Sequence, residues 1–135
     1  MNIYQFKISG KAVPKARPRI GRGGHTYTPK TTQAYERRVR DAFNRAFPNH
    51  KPIQNPVGIS IHEYRPMPTS WSIKQKQRMQ GEPVASKADL DNIIKAVLDS
   101  LNGIAFRDDS QVWNLQASKL WDYDGSVSVT IYESE

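Results

Sequence analysis

Hydrophobic and polar positions along this chain alternate between two periods, and the changes of period mark out its elements. Residues 2–9 alternate imperfectly around Ile3, Phe6 and Ile8 and read as a strand. From 10 to 29 the periodicity disappears in a run of prolines and glycines, which predicts a long loop. Ala34, Tyr35, Val39, Ala42, Phe43 and Ala46 then recur at helical spacing, predicting a helix from Thr28, as N-cap, with Pro29 in its first position, to Phe47, where Pro48 stops it. Val57, Ile59, Ile61 and Glu63 share one face of a predicted strand over 56–64. A short basic helix is predicted over 70–80, opened by Thr69 or Ser70 and ended by Gly81. The clearest stripe is Leu90, Ile93, Ile94, Val97, Leu98 and Leu101, the complete core face of one helix, stopped at Asn102-Gly103. Residues 111–121 alternate with Trp113, Leu115, Ala117 and Trp121 on one face. After a turn at 122–125, Val127, Val129 and Ile131 predict a final strand closing a hairpin. The fold class is therefore α+β: one small domain over residues 1–135, with about three helices and a mixed or antiparallel sheet.

Composition adds bounds. A 135-residue chain is long enough to bury roughly two-thirds of its unfolded surface. Its 37% hydrophobic and 24% charged residues suit a folded soluble protein rather than a disordered one. No window approaches a membrane span, and the N-terminus has no apolar signal core, so the expected location is cytoplasmic. There is no cysteine, hence no disulfide and no thiolate zinc site. The net charge of +7 is unevenly distributed. Residues 1–50 hold eleven Lys or Arg against Glu36 and Asp41, whereas residues 51–135 hold nine against eleven acids. A basic first third suits contact with a polyanion, as well as a merely solvated basic surface. Lys11, Lys15, Arg17, Arg19 and Arg22 fall in the loop with no acidic neighbour, and Lys74 and Lys76 lie on the short helix beside Trp71, a candidate base-stacking residue.

Candidate chemistry gathers around the third helix. Asp89 and Asp91 stand at its start, Lys95 one turn on, and Asp108-Asp109 after its end. Carboxylates repel one another, so their concentration points to a cation between them. Carboxylates and water suit Mg²⁺ or Mn²⁺, which organise phosphates and activate water at a phosphodiester. If the strand opening at Asp108-Asp109 packs beside the helix start, three or four carboxylates meet there. Each residue also has an ordinary use: Asp89 as a helix cap, Asp91–Lys95 as an i,i+4 ion pair, Asp108-Asp109 as a turn. On residues alone, a metal-dependent nuclease and a non-catalytic nucleic-acid-binding module both remain open.

Asp89-Leu90-Asp91-Asn92 with Lys95, followed by Asp108-Asp109-Ser110-Gln111-Val112, resembles the RusA family of Holliday junction resolvases. Lys-Ala-Arg-Pro-Arg at 15–19, and Tyr-Thr-Pro at 27–29 with Tyr35-Glu36, extend the resemblance into the N-terminal half. It implies a small homodimeric α+β endonuclease that binds four-way DNA junctions and cuts paired strands with Mg²⁺ or Mn²⁺. By motif, Asp89, Asp91 and Asp109 match the family's carboxylates, with Asp108 a neighbouring candidate ligand, and Lys95 matches its helix lysine. The matching catalytic set is Asp89, Asp91, Lys95 and Asp109. Lys15, Arg17, Arg19, Arg22, Lys74 and Lys76 are then the expected DNA-contacting residues, and a nuclease of flaps or single strands is a third reading.

Overall fold

In a computed structural model, which describes residues 2–135, the sheet is organised around one long inner strand. This is β4 (Val57–Pro66), whose first five residues are all buried. Strands covered on both faces lose the alternation of half-exposed ones. On one side β4 pairs antiparallel with β6 (Ser126–Glu133), which pairs antiparallel with β1 (Asn2–Ser9). On its other side it pairs in parallel with β5 (Val112–Asp122), giving the order β1-β6-β4-β5. The fold class is thus the expected α+β with a mixed sheet.

Two helices cover one face of this sheet. α1 (Lys30–Ala46) buries Thr32, Tyr35, Val39 and Phe43, and α3 (Leu90–Leu101) buries Ile93, Ala96, Val97, Ser100 and Leu101. They meet Phe6, Ile8, Val57, Ile59, Ile61, Val127, Val129 and Ile131 in one core. Phe43 sits edge-on to Phe6 with ring centroids 5.3 Å apart. The short α2 (Ile73–Met79) buries none of its residues.

Several expectations need correction. α1 begins at Lys30, with Pro29 in the cap position instead of Thr28. α2 is capped by Ser72, whose hydroxyl accepts the Gln75 amide at 3.1 Å, not by Thr69 or Ser70. The 10–29 loop contains a small ribbon, β2 (Arg19–Ile20) against β3 (Thr26–Tyr27), joined by a 3₁₀ turn at Arg22–Gly24. The expected β5–β6 hairpin does not form, because β6 inserts between β1 and β4. In that slot its Val127, Val129 and Ile131 are fully buried, which a place at the sheet edge would not provide. The 122–125 turn therefore passes over the end of β4, where the Met67 amide donates to the Asp122 carbonyl at 2.9 Å.

Leu115, Ala117, Lys119 and Trp121 are in register with Ile59, Ile61, Glu63 and Arg65 of β4, whereas an irregularity at Val57/Gly58 takes Trp113 out of that series. Trp113 and Leu115 are 66% and 42% exposed, so the start of β5 is a solvent-facing edge and not part of the core.

Candidate active site

α3 is the frame on which the site is built. Its apolar stripe fixes its rotation against the sheet and leaves Asp89, Asp91 and Lys95 exposed. Asp89 is the N-cap residue, but its carboxylate makes no capping hydrogen bond; instead its backbone carbonyl accepts the amides of Asn92 and Ile93 at 3.1 and 3.3 Å. Asp91 and Lys95 form no ion pair, nor does either carry another one, among the described residues. The ordinary uses of these three side chains, cap and i,i+4 pair, are thus unfilled. Two carboxylates and an ammonium project from one helix end, with the helix dipole favouring negative charge beside them.

What orients that helix end is a buried ion pair that the sequence reading did not single out. Glu63 and Arg65 follow Ile61 on the covered face of β4 and are 1% and 7% exposed. The Arg65 guanidinium grips Glu63 in two parallel bonds of 2.9 Å. Its remaining capacity reaches the Lys87 carbonyl and, at 3.3 Å, the Ala88 carbonyl. Lys119 of β5 adds Nζ bonds to the Ser86 and Ala88 carbonyls at 3.0 and 3.4 Å. Ala88 adopts φ +76°, a left-handed conformation costly for any residue with a Cβ. Four cationic bonds to the 86–88 backbone hold that turn immediately before Asp89. A Glu and an Arg two apart on an otherwise apolar strand face is the sequence signal that could have revealed them. The pair lines a cleft of about 280 Å³ with Lys11, Ala12, Pro14, Lys87 and Ala88. Tyr35, buried on α1, is electrostatically coupled to Glu63; burial, opposed by Arg38 and assisted by Glu63, pushes its hydroxyl up to about 12.

Asp108 and Asp109 are placed elsewhere. Phe106 bridges Ile53, the Arg107 amide donates to the Ile53 carbonyl, and Gln111 Nε2 donates to the carbonyls of Ile53 and Asn55 at 2.8 and 2.9 Å. These contacts fasten 106–111 beyond the start of β4, whereas Arg65 fastens 87–88 at its end. All twelve residues of α3, about 18 Å at 1.5 Å per residue, lie between Asp89 and the turn that leads to Asp108. The strand opening at 108–109 thus does not pack beside the helix start, and the expected meeting of three or four carboxylates does not occur within one chain. Among the described residues, no three His, Cys, Asp or Glu side chains converge well enough to hold a metal ion. The donor chemistry suits a hard cation, but the set within one chain is incomplete. Asp108 caps a 3₁₀ turn at Asp109–Gln111 through the Ser110 amide at 3.1 Å, and that hydrogen bond holds its carboxyl below the usual value.

The basic residues divide into two groups. Lys15, expected to be unpaired, bonds Glu36 at 2.8 Å and Asp99 at 3.4 Å and is only 18% exposed. Burial opposes its charge, but the two carboxylates outweigh this and raise its pKa. With its backbone amide on the Asn92 carbonyl at 2.9 Å, Lys15 ties the loop to both α1 and α3. Arg17, Arg19 and Arg22 are exposed, as is Lys74, while Lys76 is half-buried; none of the five has an acidic partner among the described residues. Trp71 packs edge-on to Trp121 at 5.0 Å and is half-buried.

Residues 9–132 match the family described as Endodeoxyribonuclease RusA. The chain belongs to this family of endodeoxyribonucleases. It is also 33% identical to the uncharacterized protein YqaN of Bacillus subtilis (strain 168), over 98% of each chain.

Proposed function

We propose that this protein is a Mg²⁺-dependent, structure-selective endodeoxyribonuclease that resolves four-way DNA junctions. It hydrolyses phosphodiester bonds in paired strands, in DNA recombination and repair, as a cytoplasmic homodimer. The observation that carries this reading is the family match across residues 9–132, with Asp89, Asp91 and Lys95 exposed and uncommitted on one helix end. Asp89, Asp91 and Asp109 are the metal-binding residues, with Asp108 beside them, and Mn²⁺ can replace Mg²⁺. Such an ion, when bound, neutralises phosphate charge and activates water. Lys95 offers its ammonium to the negative charge that develops on phosphate. Arg17, Arg19 and Arg22, with Lys74 and Lys76, contact the DNA backbone, and a two-fold dimer matches the two symmetric cuts that resolution needs.

The test is incubation with four-way, flap and linear DNA, with and without Mg²⁺, for the wild type and Asp91→Asn. The wild type should cut the four-way junction only with metal, and the variant should bind it at least as tightly yet not cut. Cutting by the metal-restored variant would remove Asp91 from the site. Junction binding without any cutting by the wild type would favour a non-catalytic binding module, the reading supported by the scattered carboxylates within one chain.

A further inference from the structure

A cleft of about 280 Å³ opens beside the start of α3, and Lys11 of the 10–29 loop, Glu63 and Arg65 of β4, and Lys87 and Ala88 of the following turn line it. Its lining holds three cations and one acid, and both oxygens of that acid, Glu63, already accept from Arg65 at 2.9 Å. Lys11 and Lys87 are exposed, and neither carries an ion pair among the described residues. The cleft therefore presents net positive charge, which favours an anion.

The buried part of the cleft is prepared for that charge. Arg65 is 7% exposed and has five N–H donors, of which two are spent on Glu63 and one each on the Lys87 and Ala88 carbonyls. The fifth, on Nη1, has no partner among the described residues. Lys119 takes the Ser86 carbonyl and shares that of Ala88, so the oxygens that would repel an anion are already engaged. Both lysines stand on fixed backbone. Lys87 belongs to the turn that Arg65 grips, and Lys11 follows Gly10, whose amide donates to the Gly125 carbonyl at 2.9 Å.

A planar fork with a free donor, flanked by two ammonium groups, suits the oxygens of a phosphate group. The position of the cleft decides where that phosphate comes from. Two Cα steps, at most about 7.6 Å, separate Lys87 from Asp89. A DNA strand advances about 3.4 Å along its axis per nucleotide. A phosphate in the cleft and a phosphate at Asp89 are then one or two nucleotides apart on the same strand. We propose that this cleft is a phosphate subsite, which seats the phosphodiester beside the one to be cut and fixes the register of the strand. Lys11, Lys87 and Arg65 are thus positioning residues, separate from the arginines of the β2–β3 ribbon. The subsite rests on the nuclease reading above.

The test pairs a change in the protein with a change in the DNA. Single uncharged methylphosphonates are placed at successive positions of the cut strand of a four-way junction. Cutting is then measured with Mg²⁺ in single turnover at saturating protein. For the wild type, one position within two nucleotides of the cut should lower the rate by on the order of tenfold to a hundredfold. Lys11→Gln/Lys87→Gln, with unchanged circular dichroism, should cut the unmodified junction more slowly by a similar factor. It should lose the response at that position and keep the response elsewhere, because the two changes remove one contact. Lys11→Arg/Lys87→Arg keeps the charge and should keep the response. Effects of protein and DNA changes that multiply at every position overturn the subsite while leaving the nuclease reading intact. Inorganic phosphate that binds the wild type in calorimetry and not the Gln variant, without any such position in the DNA, makes the cleft a free-anion site and overturns the DNA source. A wild type that cuts no DNA overturns the nuclease reading and the subsite with it.

Discussion

Lys95 is the residue whose surroundings say most about its use. A lysine four residues after an aspartate on a helix ordinarily forms a surface ion pair worth on the order of 0.3–0.5 kcal/mol. Here that pair is absent, and the ammonium remains beside Asp91 without a fixed partner among the described residues. Lys95→Ala should therefore leave the circular dichroism and melting temperature unchanged. As a cation acting on the transition state, it should lower single-turnover cutting by on the order of a hundredfold. A fully active Lys95→Ala protein would remove Lys95 from the chemistry. Glu63 should behave in the opposite way. Its carboxylate is buried and takes both arms of the Arg65 fork, so Glu63→Gln leaves a guanidinium buried without its counter-charge. Breaking such a pair costs about 3–5 kcal/mol, a drop in thermal midpoint on the order of 10 °C. A midpoint within a degree or two of wild type would mean that water reaches the pair.

At the scale of elements, the 10–29 segment is two devices in sequence. Its first part is fastened to the helices by Lys15, through Glu36, Asp99 and the Asn92 carbonyl. Its second part, the β2–β3 ribbon with its 3₁₀ turn, presents Arg17, Arg19 and Arg22 to solvent. Where the segment leaves β1 it passes so close to Gly125 that a Cβ there would approach the Lys11 backbone nitrogen to 2.9 Å. If the ribbon grips phosphates, Arg17→Ala/Arg19→Ala should weaken binding to all junction sequences alike. The log–log salt slope should also fall by roughly 0.9 per lost contact. Unchanged slope and affinity would transfer the grip to Lys74 and Lys76 on α2. Lys15→Ala, in contrast, should act on stability more than on the salt slope.

For the whole molecule, one core joins α1 and α3 to three of the four strands and takes in all the buried hydrophobic side chains among the described residues except Met67 and Val84. Unfolding should accordingly be a single cooperative event. Trp71, Trp113 and Trp121 all lie on or against β5, so their fluorescence reports the sheet edge, while far-ultraviolet dichroism reports mainly α1 and α3. Urea midpoints from the two signals should coincide. Separate midpoints would show that the β5 edge opens independently of the helical core.

Elements with a strong period were legible from the chain alone. The stripe from Leu90 to Leu101 determined α3, although its buried face runs through Ile93, Ala96, Val97, Ser100 and Leu101 and leaves Leu90, Ile94 and Leu98 half-buried, and Asp89, Asp91 and Lys95 were located on its exposed side. These are local facts, carried by residues within two turns of one another. Strand partners were not legible in this way. Nothing near residues 122–125 says that β6 passes β5 and enters beside β4; that is settled by which slot buries Val127, Val129 and Ile131. Lys15 looked unpaired because Glu36 and Asp99 are distant in sequence and meet it only after folding. The same holds for the site. Sequence proximity to α3 suggested that Asp108 and Asp109 join Asp89 and Asp91, but a rigid helix separates its two ends by its own length. Residue types and motif belonged to the sequence alone; the distance between the carboxylates was decided only by the direction in which α3 lies across the sheet.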